Sequence, residues 1–205
     1  MTDDAHTTIP QSDQRRLQII EGAIKVLMEK GVSGSRMNDF VKASGLSKGG
    51  VYHYFESKED LLIGVLNYFF EMNLNQLTQQ EDSNESAYWQ LRNTLTGHQE
   101  MLEEMGKYNQ LMMDFFAQSP HIPRIKAQFN FQYHHFHTYL SDIIQKGIDD
   151  NEFSNALDAK AIAAGMMGVF DGIGIAMMVS PELIKFPEYA IQSALAMVEG
   201  LRNLD

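Results

Sequence analysis

Apolar residues recur every three to four positions along most of the chain, and nowhere do they alternate over a useful length. That period gathers side chains on one side of an α-helix, so the pattern predicts an all-α protein. Leu17, Ile20, Ile24 and Leu27 mark a first helix, from a candidate N-cap at Ser12 to a candidate C-cap at Gly31. Another spans about 58–77 on Leu62, Val65 (or Leu66), Phe69 and Met72, and the polar stretch 82–84 reads as a loop. Tyr88, Leu91 and Leu95 predict a helix, and Tyr108, Leu111, Met112, Phe115 and Phe116 predict one that stops before Ser119 and Pro120. Ile122, Ile125, Phe129, Phe136, Leu140 and Ile143 share one face of a long helix ending near Gly147. Ile162, Val169, Ile173 and Ala176 line the next, closed by Ser180 and Pro181. Pro187 suits the first turn of the last helix, whose face is Ile191, Leu195, Val198 and Leu201.

The run 161–179 has the length of a membrane span and one charge. That charge, Asp171, sits at the middle, where an acid costs about 2.5–3.5 kcal/mol on insertion. Four glycines weaken the span further, and no second such run exists. The expectation is a helix buried on two sides, with no membrane.

Between the first two helices the pattern tightens. Residues 35–61 read SRMNDFVKASGLSKGGVYHYFESKEDL. Ser35 can cap a short helix over 36–44, Gly45 supplies a turn, and Ser47 can cap a second over 48–55. Phe40, Val41, Leu46, Val51 and Phe55 are spaced to pack both against the first helix. Two short helices joined by such a turn form a helix-turn-helix, whose second helix fits the major groove. Lys48, Gly49, Tyr52, His53 and Tyr54 would be its outer residues, with Lys58 nearby for phosphate oxygens. An ordinary helical hairpin with aromatics in its core is the competing reading.

Charge sharpens that choice. The 205 residues carry a net charge of −11, which by itself argues against nucleic acid. Yet residues 13–58 carry eight bases and five acids, whereas residues 59–205 carry eight bases and twenty acids. A basic module on an acidic body is what DNA binding by one end requires. The chain contains no cysteine, which removes disulfides, thiol nucleophiles, Cys-ligated zinc and iron–sulfur clusters. Its start, MTDDAHTTIPQSD, has acids where a signal peptide needs bases and an apolar run, so a cytoplasmic location is expected.

The stretch SKGGVYHYFESKEDL resembles the recognition-helix signature of TetR-type one-component transcriptional regulators. That signature runs Ser-Lys-Gly-Thr-Leu-Tyr-x-Tyr/His-Phe-x-Ser-Lys-Glu-x-Leu. The first helix, Asp39 and the chain length also agree, and the resemblance covers about 15–66. Gly50 replaces the usual Thr, removing a hydroxyl, and Val51 replaces Leu. The resemblance implies base reading near Lys48, Gly49 and His53, phosphate contacts from Tyr52, Tyr54 and Lys58, and reach to DNA from Arg36 and Asn38. It implies a DNA-binding domain over 1–58 and a ligand-sensing, dimerising domain over 59–205. The partners would be a near-palindromic duplex operator, a second copy of the chain and a small, largely apolar effector that releases a repressor. The alternatives are a DNA-bound adaptor of the same fold without an effector, and a small helical enzyme using Asp171 or the histidines.

Within the body, Ile162, Val169 and Ile173 with Ile191, Leu195 and Val198 are the expected dimer faces, helped by close approach at Gly168 and Gly172. Asp171 lies about 200° around its helix from Val169, alongside Ala164, Met167, Gly174 and Met178, on a face expected to look inward. Ten of thirteen methionines follow residue 60. Flexible thioethers and aromatics suit an adaptable pocket, with Trp89, Met112, Phe116, Phe129, Tyr133, Met167, Phe170 and Asp171 as candidate lining. Ordinary core is the competing account of each. Asp171 would meet either an internal hydrogen-bond donor or a polar or cationic group on the ligand. His134 and His137 share a helix side expected to face water without an acid, so no metal, no cofactor and no catalytic group are expected.

Overall fold

The computed structural model describes residues 11–77, 85–97 and 99–202, with the side chains of 72–77 and 101 excepted. The expected loop at 82–84 and the side chain of Met72 lie outside the described residues. Ten helices make up what is described: α1 Gln11–Gly34, α2 Met37–Ser44, α3 Lys48–Tyr54, α4 Lys58–Leu77, α5 Ala87–Thr96, α6 Gln99–Gly106, α7 Asn109–Gln118, α8 Pro123–Asp149, α9 Ala159–Val179 and α10 Glu188–Leu201. The class is all-α, as the periodicity predicts.

The starts of the helices follow from local chemistry. Ser47 accepts the Gly50 N–H at 3.1 Å and caps α3. Asp158 accepts the Lys160 and Ala161 N–H groups at 2.9 and 3.1 Å and caps α9. Pro123 occupies the first turn of α8, where its missing N–H is not needed. At α5, Ser86 is joined by Glu152, whose two carboxylate oxygens each accept one N–H, from Ala87 and Tyr88, at 3.1 Å. A carboxylate at that end also meets the positive pole of the helix.

Two apolar cores organise these helices. The first joins Ile19, Ile20, Ala23 and Leu27 of α1 with Phe40, Val51 and Phe55, and with Leu61, Leu62, Val65, Leu66 and Phe69 of α4. Leu111 and Phe115 of α7 and Ile125 of α8 complete it, so packing runs continuously across residue 58. The second holds α5, α8, α9 and α10 together through Leu91, Leu95, Leu140, Ile144, Ala163, Met166, Ala194 and Val198.

Three expectations differ from the structure. Helix α6 was not foreseen, because QEMLEEMG is a two-turn segment with half of its residues acidic or amide. Ser35 does not cap α2; it is buried and its hydroxyl donates to the Val32 carbonyl at 2.9 Å. The N-cap is Arg36, whose N–H donates to the Asp39 carboxylate at 2.9 Å. Finally, α9 is packed on one side rather than two. It is long and apolar enough to cross a membrane, yet few of its residues are buried, and Val179 is 78% exposed.

Candidate functional site

The head is built on one close approach. A Cβ at Gly22 would sit 3.0 Å from the Ala43 and Ser44 backbone, so glycine lets α2 lie directly on α1. The Gln18 amide donates to the Ser44 carbonyl at 2.7 Å, and Gly45 turns the chain with φ +69. Val51 and Phe55 then anchor α3 into the first core. What remains outward on α3 is Lys48, Gly49, Tyr52 and His53, all exposed. The Lys48 ammonium lies 5.6 Å from the centre of the Tyr52 ring, and the His53 ring meets Tyr54 edge-on at 5.1 Å. A Cβ at Gly49 would meet nothing within 4 Å, so this end of α3 is open to an approaching surface. Arg36 and Asn38 are exposed at the start of α2.

Two residues expected to face phosphate are placed differently. Tyr54 is only partly exposed and packs against the first core. Lys58 turns inward: its ammonium donates to the Val32 and Ser35 carbonyls, both at 2.6 Å. Burial lowers its pKa from the usual 10.5, and the carboxylates of Asp114 and Asp39 pull it back upward. Its charge is therefore spent on the bend between α1 and α2. The cause is local: helix α1 breaks at Gly31 (φ +70), leaving peptide groups there without helical partners.

In the body, α8 and α9 enclose an open cleft of about 400 Å³. Asn130, Tyr133, His134 and His137 line it from α8, and Ala164, Met167, Gly168 and Asp171 from α9. Both sets follow one spacing, i, i+3, i+4, i+7, which is a single helical face. The Tyr133 hydroxyl donates to Asp171 Oδ2 at 2.6 Å. Desolvation raises the Asp171 pKa above the usual 3.8, and the Tyr133 bond pulls it down. Desolvation also raises the Tyr133 pKa, reinforced by the hydrogen bond and charge of Asp171. Among the described residues no Lys or Arg lines the cleft.

Of the eight pocket candidates, the structure brings Tyr133, Met167 and Asp171 together there. The others lie elsewhere. Trp89 is 52% exposed under Arg92, whose guanidinium sits 5.6 Å above its ring. Met112 packs on the first core, and Phe116 meets Phe129 edge-on at 5.6 Å. Phe170 packs on the second core. Sequence reasoning put Ala164 on the Asp171 face, but it missed Asn130, His134, His137 and Gly168 as cleft residues. It placed the two histidines facing water without an acid, because Asp171 arrives from another helix. His137 Nε2 lies 3.0 Å from the Lys160 carbonyl. Among the described residues no group of three His, Cys, Asp or Glu is arranged to hold a metal.

Part of the expected dimer faces lies inside the protomer. Ile191 is 5% exposed and Val198 fully buried within one protomer. Ile162 and Leu195 pack against the second core, and Val169 and Ile173 are half-buried. The apolar stripe of α10 is largely consumed inside the chain, whereas Val169 and Ile173 of α9 keep part of their surface open. Left open on α9 are Ala161, Gly165, Gly168, Gly172, Ile175 and Val179, and on α10 Tyr189, Ser193, Ala196 and Gly200. A Cβ at Gly168, Gly172 or Gly200 would meet nothing within 4 Å.

Two family models match separate stretches of the chain. Residues 19–65 match the family described as bacterial regulatory proteins, tetR family. Residues 99–202 match the C-terminal region of the BetI-type transcriptional repressor. The chain is 26% identical to the HTH-type transcriptional regulator YfiR of Bacillus subtilis (strain 168), over 81% of each chain. A TetR transcription regulator from Haloarcula marismortui superposes with a TM-score of 0.80 at 20% identity, covering 93% of this chain and all of that one. A transcriptional regulator from Saccharomonospora viridis, solved in complex with choline, gives 0.70 at 20% identity over 93% and 95% of the two chains.

Proposed function

The chain belongs to the TetR family of bacterial regulatory proteins, as a helix-turn-helix transcriptional regulator, and we propose that it is a repressor released from its operator by a small organic cation. Two copies bind a near-palindromic duplex in the cytoplasm, each with a head over residues 1–58. Lys48, Gly49 and His53 read base edges, Tyr52 contacts phosphate, and Arg36 and Asn38 flank them. The body over 59–205 pairs the copies and senses the effector. The open faces of α9 and α10 support pairing, because their small residues let two helices approach closely.

The observation that carries the effector reading is the lining of the α8–α9 cleft. Its volume of about 400 Å³ lies within the usual range for small-molecule sites. It offers a carboxylate and a tyrosine ring to a positive charge, beside the apolar wall of Met167 and Ala164. Tyr133 engages one Asp171 oxygen and leaves the other for the ligand. That a structural neighbour holds choline, a quaternary ammonium, agrees with this chemistry. The cation binds one arrangement of α8 and α9 better, and the population of DNA-competent dimers falls accordingly. A coupling of about 1–3 kcal/mol gives a 5–150-fold loss of operator affinity.

The test is operator release. Alkyltrimethylammonium ions, primary alkylamines and neutral isosteres of the same shape are titrated into the operator complex. The cations should release DNA and the isosteres should not, and Asp171→Asn should abolish the response. Equal release by the isosteres would overturn the charge reading. Cations that bind without release would move the effector-free adaptor ahead.

A further inference from the structure

The bend between α1 and α2 leads from the first helix into the helix-turn-helix. It contains a peptide group that the head does not satisfy by itself. Helix α1 breaks at Gly31, and Val32 follows with its side chain buried. Its N–H has lost the regular helical geometry, and a buried N–H needs a partner. The partner comes from the body. Asp114, on α7, accepts the Val32 N–H through Oδ2 at 2.5 Å across 82 residues of sequence. Gly31 makes room: its φ of +70 suits glycine, and a Cβ there would sit 2.9 Å from the same oxygen. On the other side of Val32, its carbonyl accepts the Lys58 ammonium, which also holds the Ser35 carbonyl. A body carboxylate and an α4 ammonium thus hold the bend from opposite sides.

Helix α7 is in turn tied to the cleft helix. Asn109, five residues before Asp114, donates to the Gly174 carbonyl of α9 at 2.6 Å. Gly174 is three residues beyond Asp171. One short helix, about 7.5 Å long between the two polar ends, therefore joins the wall of the cleft to the root of the DNA-reading unit.

We propose that Asp114 is a positioning residue for operator recognition: its bond to Val32 sets the placement of α2 and α3, and α7 is the element through which the body adjusts them. The bond is charge-assisted and shielded, the kind that holds geometry rather than adding loose affinity. Asp114 contributes no DNA contact. Its loss leaves the exposed residues of α3 intact and lets the bend that carries them relax.

This proposal rests on the DNA-reading function and is independent of the effector, because the measurement needs no ligand. Full-length Asp114→Ala is titrated with operator and with a scrambled duplex, at several salt concentrations, well below its melting temperature. Operator affinity should fall about tenfold, while scrambled-duplex affinity and the salt slope stay at wild-type values, since no phosphate contact is removed. Asp114→Asn still presents an oxygen to Val32 and should lose only two- to fivefold. A role in stability alone would lower the melting temperature and leave the affinity of the folded protein unchanged. Wild-type operator affinity in folded Asp114→Ala overturns the proposal. Should the alanine variant not fold, Asp114→Asn is read in the same way, and wild-type affinity there overturns it. A wild-type chain that prefers no duplex sequence removes the functional reading and this one together, whereas an unaffected Asp114 variant removes only this one.

Discussion

Lys58→Met separates two roles for one lysine. The substitution deletes the ammonium and keeps an apolar stem of similar length. In the structure the ammonium bonds the Val32 and Ser35 carbonyls at 2.6 Å each. A hydrogen bond to a charged group contributes about 1.5–3 kcal/mol. Val32 keeps a second donor, the Ser35 hydroxyl at 2.9 Å, so the heavier loss falls on the Ser35 carbonyl. Removing a half-buried charge also returns some desolvation cost, the effect that lowers the pKa of Lys58. The net expectation is a loss of about 2–3 kcal/mol. For a chain of this size that corresponds to roughly 5–10 °C in melting temperature. Thermal and urea unfolding measure it, and operator titration against salt measures the other role. A phosphate contact would lower the magnitude of the salt slope by about one unit when removed. The structure predicts a clear loss of stability with an unchanged slope. A slope reduced by one unit at unchanged stability would refute the reasoning and return Lys58 to the DNA.

For Asp171, the folded pKa is raised above the unfolded 3.8, chiefly by desolvation. Between those two values the folded state binds more protons, so stability falls as pH rises through that window, and the ionised form costs stability at neutral pH. Asp171→Asn, which still accepts the Tyr133 hydroxyl, should hold or raise the melting temperature; a fall of many degrees would show that the carboxylate serves the fold. Cation affinity of the wild type should increase with pH through the same window, and a flat isothermal-titration profile there would count against the ion pair. At the open face of α9, Gly172→Arg should leave the protomer folded but sediment as a monomer, because its Cβ meets only open space. Leu195→Glu should instead melt the chain, since Leu195 packs on the second core. A folded, dimeric Gly172→Arg would place the pairing surface elsewhere.

The head was legible because its information is local. Ser47 caps the helix three residues ahead of its partner, Gly45 marks its own turn, and Val51 and Phe55 show which side of α3 is buried. Lys58 escaped because its acceptors lie 26 and 23 residues earlier, at a helix break whose unpaired carbonyls leave no compositional trace. The body shows the same limit on a larger scale. Periodicity identified the apolar stripe of α10 but not its cover, and Ile191 and Val198 went to the protomer's own core. The face left for a partner is Ser193, Ala196 and Gly200, which carries little hydropathy. Each half of the cleft is a clean i, i+3, i+4, i+7 series on its own helix. What joins them is the register between α8 and α9, so Tyr133 and Asp171 could be expected in one pocket, but their direct hydrogen bond shows only in three dimensions.

Whether α3 reads a specific duplex sequence is decided by repeated selection from a randomised duplex library with the full-length protein. Selection should enrich a near-palindrome whose two half-sites match the two heads of a dimer. Lys48→Ala and His53→Ala should relax preference at particular positions within each half-site, with little change in affinity for random duplex. Recovery of no preferred sequence, or enrichment that both variants reproduce unchanged, would contradict sequence reading by α3.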